Sequence, residues 1–494
     1  MESDNNFKAI FKNTSILGFT QIIVIIVAMV KSKLTSGLIG PIGMGLVYIL
    51  TNMTGLIGTV TNFGFGTIAI KNISKVTIFN NTFLLARVIN TYWKLAIFTG
   101  SLGTLVVFVF SDCLSKMSFG NSDYTKIFMI ISITLLFAQI NTGQFVVLQS
   151  LRYFKKLAYS NLISGVLILI ANFIVFYFFG IKGVATSILL STLIPTAVNW
   201  LFIRNIVIKK IDISSKRVMK YGRELITLGT LISLSRIMPL LSTLVLNAFI
   251  IRMSGLHDVG LYNAGFAIIF NYTGIVFTAM EGEYFSRLST KSLDKKVFDS
   301  TVNKQVELAL LLITPIVILF VFFANYGIVL LYSKDFLIIE NMIRFAMMGL
   351  FFKCLTWPLS YIFLVKNMNK FYFWNEFSYN FILLGLNIFF YNYKGISGLG
   401  YSFFTAVAIN LILVLFILKI KCNFRIEKSI VRLFLVELLL IISSLISYSF
   451  INGIYKIIVS ISFIFISIFI SYYYFNLKLN ILKFLKYRFS IFIK

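Results

Sequence analysis

Arg236 stands in the middle of "LISLSRIMPLLSTLVLNAF" (231–249), where nearly every other side chain is apolar or small. Thirteen residues upstream, Arg223 closes a basic, aqueous segment. At a helical rise of about 1.5 Å per residue, Arg236 lies roughly 20 Å along from that edge. An ionised arginine at the centre of a membrane helix costs about 2.5–3.5 kcal/mol on insertion scales and is rarely turned to lipid. Its planar fork offers two parallel charge-assisted hydrogen bonds that suit phosphate oxygens. Arg236 is therefore the first candidate for a phosphate-bearing ligand. The plainer reading is an ion pair or carbonyl contact inside a helix bundle.

Other basic residues are weighed the same way. Lys353 lies deep in an apolar stretch and its flexible stem snorkels only partway to water. Lys94 is shallower, near Arg87, and reaches the interface. Arg344 opens its apolar stretch and reads as an interfacial residue. Lys31, Lys33 and Arg252 close the far ends of two apolar stretches, where they meet either an anionic ligand or lipid headgroups. Among amides, Gln21, Asn52 and Asn271 are candidates for hydrogen bonds to ligand hydroxyls, with Asn62, Asn141, Gln144 and Asn247 of similar standing. For any one of them a contact across helices, worth about 0.6 kcal/mol, is the more ordinary role.

Several chemistries lack material. His257 is the sole histidine, and Cys113, Cys354 and Cys422 are far apart. This leaves no zinc spacing and no Ser-His-Asp or Cys-His arrangement. There is no Walker A loop and no Gly-rich nucleotide fingerprint. No metal or organic cofactor is expected, and no catalytic residue is proposed. Membrane carboxylates are few; Glu437 lies in the thirteenth apolar stretch and Glu376 near the inner end of the eleventh. Neither sits where coupling to a proton or sodium gradient can be assigned.

The elements that must position these residues are membrane helices. Of 494 residues, 59% are hydrophobic and 13% charged, against about 25% charged in soluble chains. The apolar runs are about 20 residues long, enough to cross a core about 30 Å thick. The roughly ten-residue alternation of a β-barrel is absent. The expected fold is an all-α polytopic membrane protein of about 14 transmembrane helices. They fall near 10–31, 40–70, 84–110, 127–149, 157–179, 184–203, 224–251, 259–285, 305–331, 341–365, 372–391, 397–418, 432–451 and 454–475. The second and eighth are long enough to tilt or to extend past the membrane. The opening "MESDNNFKAIFKN" lacks a basic n-region and a small-residue cleavage site, so no removable signal is expected.

The net charge of +28 has a topological reading. With the N-terminus inside, the inner segments carry 32 Lys and Arg and the outer ones nine. That asymmetry places both termini in the cytoplasm. It also accounts for the charge through lipid headgroups rather than nucleic acid.

The chain also repeats itself. "GIKGVATS" (180–187) matches "GISGLGYS" (395–402) at an offset of 215. "SGLIGPIGMGL" (36–46) resembles "SGLHDVGLYNA" (254–264), and "MTGLIGT" (53–59) resembles "YTGIVFT" (272–278), at 218 and 219. The repeat spans six helices, an even number, so the halves run parallel about an axis along the membrane normal. The expected organisation is a six-helix bundle over 1–212, a second over 213–425, and two further helices with a basic tail over 426–494.

"GPIGMGLVYILTNMTGLIGTVTNFGFGTIAIKNIS", "LQSLRYFKKLAYSN" and "GIKGVATS" resemble the polysaccharide transporters, in particular the O-antigen flippases of the superfamily that includes drug and toxin extruders and the lipid II flippase. The resemblance implies two bundles facing a cavity with alternating access. It implies a lipid-linked oligosaccharide as cargo, carried on undecaprenyl pyrophosphate from the cytoplasmic to the periplasmic leaflet of a bacterial inner membrane. Expected partners are membrane lipids, a polysaccharide polymerase and a chain-length regulator. Two alternatives stay open: a drug/cation antiporter, which calls for carboxylates in its cavity, and a membrane enzyme of polysaccharide assembly, polymerase or glycosyltransferase, which calls for a long outer loop.

Overall fold

The computed structural model describes residues 2–77, 81–204, 206, 215–290, 294–451 and 453–479; the side chains of 2–22, 215–221, 224–236, 275, 278, 279, 282, 286 and 475–479 are outside that description. The described residues are helical almost throughout and contain no strand. The helices are α1 (Glu2–Asn62), α2 (Phe65–Thr77), α3 (Thr82–Val109), α4 (Ser111–Phe119), α5 (Thr125–Ser150), α6 (Phe154–Phe179), α7 (Val184–Ile203) and α8 (Ser215–Ser254). There follow α9 (Leu256–Ala267), α10 (Ile275–Thr290), α11 (Lys295–Leu331), α12 (Glu340–Val365), α13 (Asn369–Lys394), α14 (Gly398–Cys422), α15 (Lys428–Phe450) and α16 (Ile454–Leu479). Each of the fourteen expected helices has its counterpart here. Ten stretches among the described residues are long and apolar enough to cross a membrane, and two of them hold a helix pair. The chain is a multi-pass membrane protein. Its outward faces carry Phe98, Phe178, Phe389, Leu439 and Phe465, all more than half exposed, as lipid contact requires.

By internal contacts the chain divides into two compact units, Met1–Asn263 with Leu330–Asp335, and Ala264–Val329 with Phe336–Lys494. In the first, α2, α3 and α5 share a core that includes Phe65, Ile73, Tyr92, Leu95, Val147 and Leu148. Gly45 and Gly260 bring α1 and α9 into backbone contact: a Cβ on Gly260 would strike Pro41 O, and one on Gly45 would strike Leu256 O. Small residues make such close crossings possible where the lipid supplies no hydrophobic drive.

The repeat read from sequence is written in the backbone of both units. Arg152 and Asn367, 215 apart, both adopt positive φ (60° and 56°). The turns around them close with the same bond, Tyr153 N to Leu148 O (2.9 Å) and Met368 N to Phe363 O (2.7 Å). Gly180 and Gly395 end α6 and α13 at φ 52° and 59° with ψ near −140°, a region open chiefly to glycine. The serine of each "GIxG…S" motif then bonds back: Ser187 donates to Asn172 Oδ1 (2.9 Å), and Ser402 donates to Asn387 Oδ1. The motif therefore encodes a helical hairpin held by a buried Asn–Ser pair.

The two long expected helices are each broken partway along. The second consists of the part of α1 beyond the Gly40–Pro41 kink, and then α2. Between them, Phe63 and Gly64 take positive φ, and Asn62 Oδ1 accepts from Phe65 N at 2.8 Å, capping α2. The eighth is α9 and α10 joined by a π-helical turn, Ile268–Thr273. Irregular backbone at membrane depth is tolerated where it lines a polar cavity.

The last two helices pack on the second unit. Phe434 stacks on Phe351 (5.1 Å), Phe463 meets Phe322 (6.0 Å), and Ser471 donates to Leu311 O (2.7 Å). Arg344 also belongs to this contact, which corrects its reading as an interfacial residue. It is 5% exposed. Nε donates to Val321 O at 2.9 Å and Nη1 to Asn341 at 3.1 Å, while Nη2 meets Glu340 and Tyr448. The guanidinium thus joins α11, α12 and α15.

Candidate functional site: two polar cavities

Lys353, Trp357 and Tyr361 follow one another at i, i+4 and i+8 on α12, so they share one face. That face lines a cavity of about 350 Å³ in the second unit, with Glu281 of α10, Tyr372 and Glu376 of α13, and Phe270 of the π turn. The volume lies within the range of ordinary ligand sites, about 300–1,000 Å³. Lys353 Nζ sits 4.7 Å from the centre of the Phe270 ring, a cation–π distance. Glu376 attracts it electrostatically without a direct ion pair among the described residues. Tyr361 donates to Glu281. Trp357 is held by Phe277 (5.4 Å) and Tyr284 (5.7 Å), and Tyr284 is itself fixed by a bond to Pro358 O (2.8 Å). The cavity thus offers one ammonium, two carboxylates and a wall of rings. Such a set can meet a phosphate oxygen, pair with sugar hydroxyls and stack on a sugar face.

The first unit holds a different cavity. Two adjoining pockets of about 350 and 280 Å³ share Thr59, Asn62 and Thr142. Among the described residues their lining comes from α1, α2, α3, α5 and α7 and includes no charged side chain. Threonine dominates it, and the α1–α2 break lies along its edge.

The sequence candidates distribute unevenly. Lys353 lines the second unit's cavity. The side chains of Arg236, on α8, and of Gln21, on α1, lie outside the described residues. Lys94 is exposed on α3, and Arg252 is exposed in the last turn of α8. Lys31 is half-buried against Asn172, Phe173 and Phe176. Lys33 donates to Tyr332 O at 2.6 Å. Asn52 faces Asn263 at 3.5 Å, and Asn263 donates to Asn247 (3.0 Å) and Val259 O (2.9 Å), so this amide ladder ties helices together. Asn141 accepts from Asn199, another cross-helix bond. Asn271 is exposed on the π turn. Glu437 is fully buried in α15 and lines neither cavity.

Sequence reading missed Glu281, Trp357, Tyr361 and Tyr372, and the threonine lining. The aromatic stripe at four-residue spacing below Lys353 was a usable signal. So was "TNMTGLIGTVTN" (51–62), with threonines at 51, 54, 59 and 61.

Comparison with known proteins agrees with this fold. A structure of the lipid II flippase MurJ in an inward closed conformation matches with a TM-score of 0.71 at 16% identity, covering 95% of this chain and 99% of that one. An inward-facing multidrug resistance MATE family transporter of the MOP superfamily matches at 0.62 and 15% identity, covering 80% and 94%. A MOP superfamily transporter from Pyrococcus furiosus matches at 0.54 and 15% identity, covering 82% and 95%. At these identities the likeness is one of fold. No curated protein matches the sequence. Residues 36–341, well over half of the chain, match the family described as polysaccharide biosynthesis protein. The chain belongs to the polysaccharide biosynthesis protein family.

Proposed function

We propose that the protein is a flippase that moves an undecaprenyl-pyrophosphate-linked oligosaccharide, an O-antigen or similar surface repeat unit, from the cytoplasmic to the outer leaflet of a bacterial inner membrane by alternating access. The observation that carries this reading is Lys353 in an aromatic, polar cavity inside apolar helices. A buried cation beside stacked rings suits a glycan that carries phosphate, and family membership points to polysaccharide assembly. The inner excess of Lys and Arg supports cytoplasmic termini. No catalytic chemistry is invoked. The polymerase and the chain-length regulator are expected as partners, and the coupling ion is unassigned. A second reading, a cation antiporter, is favoured by Glu281 and Glu376 in the same cavity.

The test is complementation of a flippase-deficient bacterium at matched membrane levels. Wild type restores surface polysaccharide and clears the lipid-linked intermediate from the inner leaflet. Arg236→Ala blocks export and accumulates the intermediate, and Arg236→Lys restores part of it. Cation resistance without restored export would favour the antiporter. Equal export by all three proteins would remove Arg236 from the cargo path.

A further inference from the structure

We propose that the first unit's cavity is a binding site for an uncharged sugar of the cargo and discriminates against anionic sugars; this rests on the reading of the chain as a carrier of lipid-linked glycan. Among the described residues the lining carries no Asp, Glu, Lys, Arg or His. Its hydroxyls are also biased. Thr54 donates to Leu50 O (2.9 Å), Thr59 to Gly55 O (2.8 Å), Thr61 to Ile57 O (3.0 Å) and Thr142 to Ala138 O (2.9 Å). Each hydroxyl proton is thus spent on its own helix, and the oxygen keeps lone pairs for a visitor.

The cavity is therefore rich in acceptors. Its donors are two amides: Asn62, which lines both pockets and whose Oδ1 already accepts from Phe65 N, and Gln139, which is 7% exposed and leaves Nε2 without a partner among the described residues. A buried amide in the state of Gln139 costs free energy until something bonds it. A neutral sugar supplies what this wall lacks: hydroxyls that donate to the threonine oxygens, and oxygens that accept from the amides of Asn62 and Gln139. A uronic acid sugar brings a carboxylate that only accepts, and the described residues of the wall offer no cation to replace its lost hydration. The room is real. A Cβ placed on Gly55 or Gly58 meets nothing within 4 Å, and both glycines border the cavity.

The experiment expresses the full chain in two flippase-deficient hosts, one assembling a neutral repeat unit and one a repeat unit with a hexuronic acid. Surface polymer and lipid-linked intermediate are scored per molecule of membrane protein. Wild type exports the neutral unit at least tenfold better. Gly58→Leu projects into the cavity from a position where a Cβ meets nothing within 4 Å, and it loses export of the neutral unit at an unchanged melting temperature. Thr142→Lys moves the neutral-to-acidic ratio toward the acidic unit by fivefold or more; a ratio within one protein is independent of how much of it folds. Equal export of both units by wild type, or wild-type export by Gly58→Leu, overturns the cavity assignment and leaves the flippase reading standing. Export of neither unit by wild type refutes the flippase reading, and the proposal falls with it.

Discussion

Lys353→Met lowers affinity for undecaprenyl pyrophosphate by about 30-fold, and Lys353→Arg recovers most of the loss. The reasoning starts from the cavity's charge. Among the described residues Lys353 is its one cation, against Glu281 and Glu376. An anionic group entering this space meets two carboxylates, and Lys353 is what makes the place tolerable. Truncating one member of a desolvated charge contact costs about 2–5 kcal/mol. The lower end of that range is near 30-fold. Methionine keeps the stem's volume and apolar packing, so the change isolates charge. Binding of undecaprenyl pyrophosphate to the purified full chain in nanodiscs checks this. A packing role predicts that Met binds as wild type and that the bulkier Arg is worse; a charge role predicts the reverse order.

Arg344→Met destabilises the second unit by about 3 kcal/mol, the usual cost of removing one partner from a buried pair. The guanidinium satisfies Val321 O, Asn341, Glu340 and Tyr448 together. Its loss strands a carboxylate and a carbonyl and loosens α15 from α12. Tyr448→Phe removes one of these bonds and costs about 1 kcal/mol. The measurement is the unfolding midpoint in detergent for wild type, both variants and the Arg344→Lys protein. Lysine keeps the charge but loses the fork, so it should fall between wild type and methionine. An unchanged midpoint for Arg344→Met would show that the cluster contributes nothing to the docking of the last helices.

These two residues also mark what the sequence made legible. Lys353 was readable because a charge deep in an apolar run must be either paired or functional. Arg344 was misread because its partner Tyr448 lies 104 residues away in sequence, and no local pattern announces that contact. The helices and the repeat were legible for physical reasons: lipid demands long apolar runs, and the "GIxG" turn demands glycine at positive φ. The helix breaks were half-legible. "TNFGFG" contains the capping Asn62 and the glycine at positive φ, yet in an apolar context the same letters suit close packing. Glu281 was passed over because it sits in "AMEGEYFSR", which looks like an ordinary aqueous helix end. The threonine wall left a signal in "TNMTGLIGTVTN" but was passed over because threonine in a membrane helix normally bonds its own backbone. These threonines do so as well, and only the cavity shows that their oxygens have room for a partner.

The central claim is translocation, and the most direct measurement is flipping in proteoliposomes. The full chain is reconstituted with a fluorescent undecaprenyl-pyrophosphate oligosaccharide, and the label accessible to an external quencher is followed with time. Protein-dependent movement that makes a protected label accessible, slowed tenfold or more by Lys353→Met, is the predicted result. Rates equal to protein-free liposomes under proton and sodium gradients of either direction would contradict the account.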